Sequence, residues 1–149
     1  MTKTMEKKLI LIHVVLFVVC AVCRIYCQMH IDEWKYNFQM GFLYWPTLIF
    51  AKPLYYYAAG FLAAFFLARK AFRDDLNLPY KSLGIMAVVL LVFYVLIAGI
   101  VLKVSMFGTL VSVLTMFYRY SINVVLEHNW MLCIPGILLG LVAERRCKE

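Results

Sequence analysis

SMFGTLVSVLTMFYRYSINVVLE, residues 105–127, is the one apolar stretch of this chain that carries a continuous polar stripe. Ser105, Thr109, Ser112, Arg119, Asn123 and Glu127 follow one another by four, three, seven, four and four, which places all six on one face of an α-helix. The positions between them are mostly Met, Phe, Leu, Val, Tyr and Ile. A charged side chain at the centre of a bilayer costs roughly 2.5–3.5 kcal/mol on insertion scales, so the stripe must face protein, a wet cavity or the membrane surface. Whether this stretch crosses the membrane or lies along it sets the architecture.

Composition establishes the class. Of the 149 residues 65% are hydrophobic and 15% charged, against about a quarter charged in an ordinary soluble domain. The expectation is an all-α, polytopic membrane helical bundle forming one membrane domain over residues 1–149, with every loop short.

In chain order, a basic head containing Lys3, Lys7 and Lys8 precedes an apolar run over 9–27, about 28 Å of helix and enough to span. The same pattern would suit a cleaved signal with Ala21 to Cys23 as a poor processing site, or a lipoprotein signal at Cys20, which Val19 disfavours. Residues 29–52 mix charges with Trp34, Tyr36, Phe38, Phe42, Tyr44 and Trp45, rings that settle at headgroup level, so an interfacial segment is expected there. A second span is expected over 53–68, with Pro53 in its first turn. The alternative is an earlier start near Gly41 with a kink at Pro53, which would bury Lys52. Ala59, Gly60, Ala63 and Ala64 offer a small-residue surface to another helix, as do Gly136 and Gly140 further on.

The loop that follows sets Arg69, Lys70, Arg73 and Lys81 against Asp74 and Asp75 and reads as a solvated turn. Residues 82–102 have no charge and form the cleanest span. After the striped stretch, residues 131–143 are too few to cross alone unless they borrow upstream residues or the bilayer thins. Either 105–123 is an interfacial or tilted segment feeding a fourth span over 124–143, or the stripe crosses and the tail makes a fifth.

Charge bias favours four spans with both ends cytoplasmic. Lys3, Lys7, Lys8, Arg69, Lys70, Arg73, Lys81, Arg145, Arg146 and Lys148 then fall inside, leaving Arg24, Lys35, Lys52, Lys103 and Arg119 outside, so two thirds of the 15 Lys and Arg lie inside. A bacterial inner membrane, that is a plasma membrane, suits the compact basic inner segments. The net charge of +7 is accounted for by this topology and by attraction to anionic headgroups, and no concentrated surface for nucleic acid is seen.

Two sets of candidate site residues follow. His13, Cys20, Arg24 and Cys27 share one side of the first helix, the natural partner of the polar stripe. Arg24, Arg119, Asn123, Glu127, His128 and His13 are therefore expected to form an outward-facing polar pocket, suited to an anionic headgroup or a moving proton, or a polar cluster that merely locks helices together. Cys20, Cys23 and Cys27, with Cys133 at the same level, are candidates for redox or metal chemistry, beside their use as small packing residues. In topology alone this arrangement resembles the four-helix quinone-linked thiol oxidases. Those carry a cysteine pair in each outer loop, whereas here Cys20 and Cys23 lie within a helix and the second outer segment has only Cys133.

Catalytic residues remain unknown. Glu127 and His128 as acid and base, with Ser121 or Cys133 as nucleophile, are not forced together by spacing, and no HExxH, GxSxG or glycine-rich phosphate loop occurs. No cofactor is expected. The expected function is a non-enzymatic accessory, regulatory or immunity-type component acting through helix contacts, with membrane lipids and another membrane protein, or a second copy, as partners. The alternatives are an enzyme on a lipid or lipid-linked substrate at the outer leaflet, and a minimal oligomeric transporter or channel.

Overall fold

A computed structural model of the chain describes residues 3–30, 47–71, 79–107 and 127–148, and every element among them is helical. Helix α1 covers Lys3–Met29, an unbroken run without glycine or proline in which Glu6 sits in the first turn, where a carboxylate suits the helix dipole. It is longer at both ends than the span expected over 9–27. His13, Cys20 and Cys27 are buried and Phe17 and Arg24 half-buried, so positions spaced by four and three form the seam that docks on the next helix.

That next helix begins earlier than expected. A π-helical turn, Thr47–Ala51, leads directly into α2, Lys52–Ala71, so residues 47–52 of the segment read as interfacial are continuous with the helix that contains the expected span of 53–68. The physical reason lies at Pro53. In a regular helix the Ile49 carbonyl would accept the N–H of residue 53, which proline lacks. The wider turn accommodates the proline, and the buried Tyr94 hydroxyl donates to the Ile49 carbonyl at 2.8 Å. A helix running through Pro53 is therefore supported from a neighbouring element, and Lys52 becomes half-buried.

Helix α3, Tyr80–Phe107, contains the expected span of 82–102 and extends past it. A 3₁₀ turn, Asn129–Leu132, in which the Met131 N–H donates to the His128 carbonyl at 2.9 Å, opens α4, Cys133–Lys148. Helix α4 runs beyond the expected limit at 143, and residues 124–126 lie outside the described ones.

The directions of the helices follow from their contacts. Glu6 pairs with Arg69, so α1 begins where α2 ends. The Arg145 guanidinium lies over the Tyr80 ring, so α3 begins where α4 ends. Gly136 meets Tyr57 and Gly140 meets Phe61, so α2 and α4 run parallel, side by side. A Cβ on Gly60 would lie 2.5 Å from the Cys133 carbonyl oxygen and one on Gly140 2.5 Å from that of Phe61, while one on Gly136 would be closer still to Tyr57. Only glycine permits two backbones to approach this closely, and Ala64 and Ala68, both buried, extend the same face of α2.

At the other end Ile49, Tyr94, Ile97, Ala98, Val101 and Leu132 form an apolar core that ties α3 to the π turn and the 3₁₀ turn. Three helical stretches, Thr4–Met29, Thr47–Lys70 and Tyr80–Val101, are long and apolar enough to cross a membrane. The fold is thus all-helical, and its long elements are of membrane-spanning character.

Candidate functional site

The first expected site residue, His13, is buried between α1 and α2. Its ring stacks on Phe61 with centroids 3.6 Å apart and planes 12° from parallel. Nδ1 lies 2.9 Å from the Leu9 carbonyl, an acceptor, so in the tautomer with one ring N–H this nitrogen donates. Nε2 is then left to accept from the Tyr57 hydroxyl, 3.4 Å away. Both ring nitrogens are thereby used in joining the helices. The reading of His13 as part of a cluster that locks helices together has this geometry in its favour.

Arg24 sits three turns further along the same seam. Its guanidinium lies 5.2 Å from the centroid of Tyr55 and 5.4 Å from that of Tyr56, adjacent rings that hold the cation at the end of the helix pair. Tyr55 is in turn stacked on Phe17, 4.8 Å between centroids. Beside Arg24 a cavity of about 260 Å³ opens between the end of α1 and the π turn, lined also by Cys27, Gln28, Thr47, Leu48 and Lys52. Guanidinium, ammonium, amide and hydroxyl together offer many donors and two positive charges, a chemistry suited to phosphate or carboxylate oxygens.

Lys52, Thr47 and Gln28 were not among the expected pocket residues. The signal for Lys52 was present in the helix continued through Pro53. Gln28 follows Arg24 by four residues on α1 and so shares its face, a spacing that could have found it; Thr47 carries no such signal, and only the docking of α1 on the π turn brings it to Arg24.

Glu127 and His128 are exposed at the head of the 3₁₀ turn, and the His128 side chain makes no capping hydrogen bond there. Arg119 and Asn123, like Thr109, Ser112 and Ser121, lie outside the described residues; of the stripe, Ser105 falls in α3 and Glu127 precedes the 3₁₀ turn, and Glu127 does not line the Arg24 cavity.

The cysteines are free thiols. Cys20 and Cys27 are buried and Cys23 half-buried on α1, while Cys133 stands at the start of α4 against Gly60. Among the described residues no three His, Cys, Asp or Glu side chains gather as a metal site. At the opposite end of the molecule the Cys147 thiol is pushed above its usual range, by burial first and then by the carboxylates of Glu6 and Glu144. In comparisons with family models, curated proteins and solved structures, nothing matches this chain.

Proposed function

We propose that the chain is a four-pass protein of a plasma membrane, bacterial inner membrane in type, with both ends cytoplasmic, and that it works without chemistry of its own. Its role is that of an accessory, regulatory or immunity-type component that binds a helix of another membrane protein. One observation carries this reading. Opposite the seam that docks on α2, helix α1 bears a second one, Leu11, Val15, Val18, Val22, Ile25 and Met29, spaced by four and three and 51–75% exposed. Such a row matches the pitch of helix-into-helix packing and is apolar throughout. Among the described residues helix α1 is covered on one side only, with 11% of its spanning stretch buried, and this second row is left exposed.

Two features support four passes. The part of α4 from Cys133 to Ala143, together with its 3₁₀ turn, rises about 24 Å, enough to cross where the bilayer thins. Lys7, Lys8, Arg69, Lys70, Lys81, Arg145 and Arg146 collect at one end of the helices, the end that a positive-inside bias assigns to the cytoplasm.

Photo-crosslinking amino acids placed along α1 in native membranes test the role. Crosslinks should peak at Val15, Val18, Val22 and Ile25 and weaken at the flanking Ile12 and Val19, giving one product larger than the chain. A product of twice the chain mass would mean self-association instead. Crosslinking to lipid alone at every position would remove the reading. The cation-lined cavity of Arg24 and Lys52 favours a second reading, action on a lipid or lipid-linked anion at that surface, for which turnover lost in R24A and K52A alike is the check.

A further inference from the structure

The start of α3 and the end of α4 part at the basic end and leave a groove between them. At its mouth a cavity of about 660 Å³ is bordered by Lys81, Arg145 and Arg146 together with the Tyr80 ring. The Arg145 guanidinium is held over that ring, 5.4 Å from its centroid, which fixes one cation at the rim. The Ser82 hydroxyl is turned back on the Pro79 carbonyl at 2.9 Å, and the charged side chains that line the mouth among the described residues are Lys81, Arg145 and Arg146. Glu144 is buried and does not line it.

An adjoining cavity of about 670 Å³ shares Lys81, Val142 and Arg146 with the mouth and continues between Gly84, Val88 and Leu139. From Lys81 to Val89 the helix rises about 12 Å, so this part of the groove runs from the charged rim into hydrocarbon depth. Gly84 keeps its wall shallow: among the described residues a Cβ there would meet only Val142 Cγ2, at 4.0 Å.

We propose that this groove is a binding site for one anionic phospholipid, its phosphate among Lys81, Arg145 and Arg146 and one acyl chain laid along Gly84, Val88 and Leu139. The two halves of the groove select this occupant together. A soluble phosphate would satisfy the mouth and leave the apolar wall uncovered. A zwitterionic lipid would bring its own ammonium against three cations. Basic clefts between helices at a membrane surface recognise anionic headgroups by this combination of charge and depth. The inference is independent of the partner assigned to α1, since it concerns α3 and α4.

The test is native mass spectrometry of the full chain in mild detergent, with dioleoyl phosphatidylglycerol as probe, dioleoyl phosphatidylcholine as the neutral comparison and inorganic phosphate as competitor. One phosphatidylglycerol should be retained per chain in preference to phosphatidylcholine. The double variant K81Q/R146Q should weaken that binding about 25-fold, about fivefold for each cation. K8Q/K70Q, an equal loss of charge at the same end but away from the groove, should leave it unchanged. G84L keeps every charge and fills the apolar half, and should weaken binding on the order of tenfold by displacing the chain. Should K81Q/R146Q fail to fold, G84L decides alone. Equal loss in K8Q/K70Q would mean diffuse surface charge, and would overturn the site. So would equal retention of phosphatidylcholine, full displacement by inorganic phosphate, or an indifferent G84L.

Discussion

The carbonyl of Ile49 shows how one residue determines whether a helix continues. Pro53 removes the N–H that this oxygen would accept, and Tyr94 supplies a hydroxyl in its place from α3, 2.8 Å away and buried. Removing that hydroxyl leaves a buried acceptor without a donor, so Y94F should destabilise the protein by about 1 kcal/mol, read from unfolding in detergent. The mechanism makes a sharper statement through a double-mutant cycle. In a P53A background the N–H of residue 53 returns, and the same Y94F change should then cost clearly less. Equal costs in both backgrounds would mean that the hydroxyl does not stand in for the missing donor. His13 belongs to the same scale, since its two nitrogens and its ring face are all used between Leu9, Tyr57 and Phe61.

Among the elements, the contact of α2 with α4 is the closest, because glycine lies where the backbones meet. The positions are not equivalent. A side chain on Gly140 drives into the Phe61 carbonyl and the Ala64 methyl, whereas around Gly99 on α3 nothing among the described residues lies within 4 Å. G140V should therefore cost at least about 2 kcal/mol, as overpacking does when the obstacle is backbone, while G99V should leave the unfolding midpoint essentially unchanged. Equal tolerance would show that the helices are free to slide apart. The pairing of Gly136 with Gly140 in sequence is a weak pattern alone; its partners on α2 give it meaning.

At the scale of the molecule, the alternation of helix direction brings four separate segments of basic residues to one end and leaves Arg24 and Lys52 at the other. Four passes with both ends cytoplasmic predict that an impermeant thiol reagent applied from outside intact cells spares a cysteine at position 147 and labels one placed at His128. For Cys147 itself, the raised thiol range means that labelling in opened vesicles should gain speed only at a pH above that of a free thiol. Labelling of position 147 from outside would reverse the orientation or add a span.

The residues themselves determined the all-helical, apolar character of this protein, the position of its long apolar helices and the face of α1 that carries His13, Cys20, Arg24 and Cys27, because burial and periodicity are written locally in the chain. They also held the clue to a helix through Pro53, without a means to choose it over an interfacial segment. That choice was made by Tyr94, a residue 45 positions away from Ile49. The Arg24 and Lys52 cavity and the groove of Lys81 and Arg146 likewise exist only through the meeting of helices distant in sequence. A period names the side of a helix that must be covered; which other helix covers it, and which charges then share a cavity, is decided by packing in three dimensions.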